Sequence, residues 1–170
     1  MRKQEFFIAL IVLIIFFTVA FLWFAPSGVR PAPDITFNTL DGKTIDLKSL
    51  KGKPVLVTFW ATSCPGCIKE MPHLIELYKE LHGKGLEIIG VAMPYDRPDH
   101  VIEMSKRKQI PYPIAIDIQG EAVTAFGKVQ LTPTSFLINP EGKIVKHRIG
   151  EMDMTALHHQ IQAMLSPESS

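Results

Sequence analysis

The chain has 170 residues, 46% of them hydrophobic, with 18 basic and 17 acidic side chains and a formal net charge of +1. This fits one globular domain plus a separate apolar segment, and the charge balance excludes a protein built to bind polyanions. Lys106-Arg107-Lys108 is the one basic run and reads as a solvated helix end, so no nucleic-acid partner is expected.

Residues 1–5 form a short tail carrying Arg2 and Lys3, and Phe6 to Phe24 follow without a charge. A run of that length crosses a hydrocarbon core of roughly 30 Å as a helix. Trp23 near its far end suits an interfacial anchor, and the basic tail favours an inside N-terminus with the rest of the chain exported. A cleaved signal peptide is the competing reading, with Thr18-Val19-Ala20 as a small-x-small site, but the apolar stretch runs on past it. The expectation is a single-span anchor over 6–24 in the cytoplasmic membrane, holding the rest of the chain on its outer side. Residues 25–33, with Pro26, Gly28, Pro31 and Pro33, read as an extended polar linker. The domain is expected over 34–166 and a tail over 167–170.

Ile35-Thr36-Phe37 and Thr44-Ile45-Asp46-Leu47 alternate across Asp41-Gly42 and predict a hairpin. Lys51-Gly52-Lys53-Pro54 turns the chain into an apolar run, Val55 to Trp60, which reads as a buried strand. Both cysteines follow, as Cys64-Pro65-Gly66-Cys67. The next segment carries Ile68, Met71, Leu74, Ile75, Tyr78 and Leu81 on one face, ends at Gly83 and Gly85, and predicts a helix bent at Pro72.

The C-x-x-C therefore sits where a strand ends and a helix begins. Unpaired N–H groups and the positive end of the helix dipole favour a thiolate there. Lowering a thiol pKa from about 8.5 to about 7 takes only about 2 kcal/mol and raises the reactive fraction at neutral pH to about half. Cys64 is expected to attack, and Cys67, one turn deeper on the same face, to resolve. A purely structural disulfide is the weaker reading, because so small a ring restrains the unfolded chain by only about 2 kcal/mol. Two cysteines cannot build a four-cysteine zinc site; a copper site from Cys64, Cys67 and a histidine such as His73 is the binding-protein alternative.

Further on, Leu86 to Met93 predicts a second buried strand, Asp96 with Pro98 and Asp99 the start of a helix reaching Lys108, Ile114 to Ile116 a short strand, and Glu121 to Phe126 a short helix. Thr134 to Ile138 and Lys143 to Ile149 flank the turn Asn139-Pro140-Glu141-Gly142, and Met154 to Leu165 closes the chain as an amphipathic helix.

The strand Val55 to Ala61 with its C-x-x-C resembles the active-site strand of thioredoxin. With its flanking segments the chain resembles the membrane-tethered TlpA/ResA-type thiol:disulfide oxidoreductases associated with cytochrome c maturation. The resemblance covers Pro33 to Leu165 and implies a thioredoxin-like α/β fold, with an N-terminal β-hairpin extension and a central insertion, preceded by one transmembrane helix. It implies a redox-active Cys64–Cys67 disulfide, a substrate groove formed by Trp60, Pro65, Thr132 and a cis Pro133, and Thr132 pairing with a docked polypeptide. It also gives Glu70 as an active-site acid that accepts the proton of Cys67; an ordinary solvated glutamate paired with Lys69 or His73 is the other reading. No cofactor or metal is implied. The implied partners are a disulfide-containing protein substrate, such as apocytochrome c, and a membrane-embedded thiol donor, with the protein a monomer. Two positions depart from the pattern: Thr58 stands where thioredoxin buries an aspartate, and Ser63 where family members usually have tryptophan. A peroxiredoxin-like peroxidase is disfavoured because Val57 and Ala61 occupy positions where that family needs proline and threonine or serine.

Overall fold

The computed structural model describes residue 7, residues 10–18 and residues 29–166. Residues 10–18 are helical and exposed. The rest of the expected span over 6–24, most of the linker and the tail over 167–170 lie outside the described residues. Among those described, no helix is long and apolar enough to cross a membrane.

A six-stranded sheet organises the domain. Its strands are β1 (Arg30–Pro31), β4 (Val55–Trp60), β5 (Glu87–Ala92), β6 (Ile114–Ile116), β7 (Thr134–Ile138) and β8 (Lys143–Ile149), in the order β1-β8-β7-β4-β5-β6. The hairpin β2 (Thr36–Asn38) and β3 (Thr44–Asp46) stands apart as its own small sheet. The helices are α1 (Pro65–Leu81), α2 (Pro98–Arg107), α3 (Glu121–Ala125) and α4 (Met154–Leu165). Strand β4 is central, parallel to β5 and antiparallel to β7, and every one of its residues is buried. That is why it reads as a continuous apolar run rather than an alternating one.

The pleat divides the core into two layers. Leu56 and Trp60 of β4, Ile88 of β5 and Leu137 of β7 face a layer built by Met71, Leu74, Leu77 and Leu81 of α1, Val101 and Met104 of α2, and Leu157 and Ile161 of α4. Val57 and Phe59, on the alternate positions, face the opposite layer with Phe37, Phe126 and Phe136. Phe126 and Phe136 pack 4.8 Å apart, and Phe59 meets them at 5.4 and 6.0 Å, so truncating any one to alanine is expected to cost about 3–5 kcal/mol.

The sheet edges differ from expectation at one place. Arg30 and Pro31, read from the sequence as linker, form β1 against β8, pairing with Ile144 and Lys143. The outer edge of β8 offers unpaired backbone groups, and a proline is tolerated on such an edge. Ala32 N–H then donates to the Gly142 carbonyl at 2.9 Å. Arg30 adds a guanidinium donor to the Phe126 carbonyl at 3.3 Å and lies 5.9 Å over the Phe136 ring. At the other edge, Leu40 N–H donates to the Ile114 carbonyl at 2.8 Å, so the hairpin covers β6.

Candidate active site

Strand β4 delivers the chain to the catalytic end of the sheet, and four residues later Cys64 becomes the N-cap of α1 with Pro65 in its first turn, where a missing N–H costs no hydrogen bond. Cys67 N–H donates to Cys64 Sγ at 3.1 Å, so the Cys64 sulfur takes the place of a capping oxygen at the positive end of the helix. The two cysteines are joined in a disulfide with Cα atoms 5.3 Å apart. Cys64 is 8% exposed and Cys67 4%, so the expected attacking sulfur is the more open of two well-covered ones.

The loop ahead of Cys64 is held from the loop that follows the neighbouring strand β5. Thr62 donates its backbone N–H to Asp96 Oδ2 and its hydroxyl to Asp96 Oδ1, both at 2.6 Å. Sequence reasoning took Asp96 only as the start of a helix. Its role depends on β5 lying parallel to β4, with Met93 N–H donating to the Trp60 carbonyl at 3.0 Å, and no local pattern carries that information.

Glu70, one turn beyond Cys67, is 3% exposed. This overturns the solvated-glutamate reading, as does Lys69, which pairs with Glu151 at 2.7 Å instead. The Glu70 carboxylate accepts the Met152 N–H at 2.6 Å. Burial pushes its pKa above the ordinary carboxylate value and the nearby Glu151 charge adds to this, while the Met152 N–H and His73 oppose them. Tyr112 is buried in the same core layer, and its phenol is raised by burial first and the Glu70 charge second. The α1 face that should hold a protonatable group therefore has one.

Thr58 lies on the same face of β4 as Trp60, as strand alternation requires. Its Oγ1 accepts the Ser135 hydroxyl at 2.9 Å from the paired position of β7. Where the thioredoxin pattern would bury an aspartate, this chain closes a neutral hydrogen bond.

The Thr132–Pro133 peptide is cis, as the resemblance implied. Pro133 meets the C-x-x-C through Gly66, where an added Cβ would sit 3.4 Å from the proline Cδ and 3.7 Å from the Glu151 carboxylate. The proline loop is tied by Gly150 N–H to the Pro133 carbonyl at 2.8 Å and by the Thr134 hydroxyl to the Leu131 carbonyl at 2.7 Å. Thr132 itself has no backbone hydrogen bond among the described residues. Pro65 and Ser63 are exposed.

Trp60, only 4% exposed, packs in the core layer under α1. Its indole lies over Gly90, where a Cβ would come within 3.3 Å of Nε1, and Nε1 has no partner among the described residues. The strand periodicity that turns Trp60 under α1 was visible in the sequence; the resemblance had placed it in the groove. His73 is exposed, and no three metal-ligating side chains come together among the described residues.

The sequence matches the Redoxin family over residues 27–165. It is 39% identical over 134 residues to the thiol-disulfide oxidoreductase ResA of Bacillus thuringiensis subsp. konkukian, covering 78% of this chain and 76% of that one. The ResA of Bacillus subtilis is 34% identical over 139 residues, covering 82% of this chain and 76% of the relative. Among solved structures, a thioredoxin from Neisseria meningitidis described as putative superposes with a TM-score of 0.75 at 33% identity, over 82% of this chain and 93% of that one. With a family match across the whole domain and a disulfide capping α1 above a buried carboxyl, the chain belongs to the redoxin family and is a thioredoxin-fold thiol:disulfide oxidoreductase.

Proposed function

We propose that this oxidoreductase is held to the cytoplasmic membrane by residues 6–24, N-terminus inside, and works reductively outside it. Its substrates are disulfides of exported proteins, with the C-x-x-C haem-attachment pair of apocytochrome c as the leading candidate. Electrons come from a membrane-embedded thiol donor. The observation that carries the mechanism is the Cys64 sulfur receiving the Cys67 N–H at the start of α1, above the buried Glu70.

In the reduced protein the Cys64 thiolate attacks one sulfur of the substrate disulfide, forming a mixed disulfide and releasing the first substrate thiolate. Cys67 gives its proton to Glu70 and attacks Cys64 Sγ, which expels the second substrate thiolate and leaves the Cys64–Cys67 disulfide. The substrate gains two electrons and the protein loses two. Glu70 suits the acceptor role because burial sets its pKa above that of a free carboxylate, towards the working pH. Thr132, with its backbone unpaired among the described residues, offers a strand-like contact to the docked polypeptide beside Pro133.

Pro65 and Gly66 bring neither charge nor imidazole to stabilise the reduced thiolate, so the pair should not be strongly oxidising. A potential near the roughly −270 mV of reducing dithiols is expected, and equilibration against glutathione or dithiothreitol buffers measures it. A value above about −150 mV would overturn the reductive direction while leaving the roles of Cys64 and Cys67 intact.

A further inference from the structure

The domain has two unlike ends. At the end where β4 runs out into Cys64, four large apolar side chains are more than half exposed: Tyr95 at 62%, Ile118 at 71%, Leu131 at 61% and Ile149 at 53%. No other large apolar residue between 29 and 166 is exposed to that extent. Their shared position follows from topology. Tyr95 lies three residues past Ala92, which pairs with Trp60; Ile118 lies two past Ile116, which pairs with Ala92; Leu131 precedes Pro133; and Ile149 pairs with Thr134 at the start of β7. The opposite end, formed by the turns entering β4 and β5 and joining β7 to β8, exposes Lys51, Lys53, Lys84, Glu141 and Lys143 and no such apolar side chain, whereas at the catalytic end the apolar rim is interspersed with the exposed Arg97, Arg148 and Glu151.

The polarity of β1 indicates which end lies nearer the expected anchor. Strand β8 runs towards the catalytic end, and β1 is antiparallel to it with Arg30 opposite Ile144, so the backbone preceding Arg30 comes from the catalytic direction. From Ile144 to Ile149 the strand covers about 17 Å. The six residue steps from Phe24 to Arg30 reach at most about 22 Å. Six residue steps are thus long enough to span from Arg30 to the level of the catalytic rim.

We propose that the catalytic end of the domain rests against the bilayer surface, with Tyr95, Ile118, Leu131 and Ile149 as its lipid-facing rim. This rests on the anchored reading above. Apolar and aromatic side chains find a favourable place at the headgroup boundary, whereas the lysine-rich end remains hydrated. The arrangement presents Cys64 and Cys67 to a donor embedded in the membrane and leaves substrates to enter from the side of the groove.

The test uses the oxidised full-length chain, in which both native cysteines are in the disulfide and an introduced cysteine is the one free thiol. Ile118→Cys and Glu141→Cys are labelled with a fluorophore and reconstituted into neutral vesicles carrying headgroup nitroxide lipids. Quenching at 118 with little at 141, relieved at 118 by Leu131→Lys together with Ile149→Lys, is the expected result. Equal quenching, or stronger quenching at 141, overturns the orientation in protein that floats with the vesicles. Quenching at 141 on anionic vesicles with none at 118 would show a lysine-driven orientation and also overturn it. A rim label unquenched by lipid but shielded by an unfolded disulfide-bearing polypeptide assigns the rim to substrate instead. Protein that does not float with vesicles at all removes the anchored reading and the orientation with it.

Discussion

Two acceptor sites lie on the α1 face of the sheet near the disulfide, and they are filled in opposite ways. Thr58 is neutral and tied to Ser135 of the neighbouring strand, so nothing there titrates. Glu70 is ionisable, buried and held by one backbone N–H from the loop after β8. A buried polar atom must be satisfied, but only a titratable one can move a proton. On the proposed mechanism the helix, not the central strand, handles the proton, and each of the following experiments either breaks that contrast or sharpens it.

The largest effect belongs to the sulfurs that both sites surround. Cys67→Ser should abolish turnover and accumulate mixed disulfides through Cys64, whereas Cys64→Ser should abolish turnover without trapping substrate. Gel analysis under non-reducing conditions separates the two, and equal trapping would reverse the assigned order. Next comes Glu70→Gln, expected to slow resolution by about a hundredfold and to remove a limb of the pH–rate profile lying above the ordinary carboxylate range. A profile unchanged in shape would take the proton-acceptor role from Glu70.

Thr58→Val should leave that profile where it is. It orphans the Ser135 hydroxyl and should cost about 1–3 kcal/mol of stability, most of which the double change Thr58→Val with Ser135→Ala restores. Urea unfolding of the three variants measures this, and a shifted pH profile in the valine variant would return proton handling to the strand.

Glu70 also sets a pH dependence of stability. Its folded pKa is raised above the ordinary carboxylate value, so the folded state holds its proton more tightly than the unfolded chain. Stability contributed by the protonated form is therefore present below that value and is lost as pH rises through the higher folded pKa. The Gln variant should lack this loss, and the difference between the two unfolding curves from acid to neutral pH reads it directly. The smallest expected effect is that of Glu151→Gln. Removing a like charge beside Glu70 should move the Glu70-dependent limb to lower pH, with the fold unchanged, because Glu151 and Lys69 are both exposed.

Much of this protein is legible from local sequence. Hydrophobic periodicity marks the strands and helices, since burial on one or two faces leaves a pattern that neighbouring residues carry by themselves. The C-x-x-C between an apolar run and an amphipathic one locates the redox pair for the same reason: the strand end, the cap and the first helical turn are contiguous in the chain. What only the tertiary structure decided involves partners brought in from elsewhere. Whether Glu70 is solvated or buried depended on the loop at Met152, 82 residues away, closing over it. Asp96 reaches Thr62 through parallel pairing of β4 with β5, and Ser135 reaches Thr58 across β7. Arg30 and Pro31 look like linker because two residues carry no periodicity; they become a strand because β8 offers an unpaired edge. Local order follows from the sequence of side chains, whereas the burial and charge state of an ionisable group such as Glu70 depend on which distant backbone is packed against it.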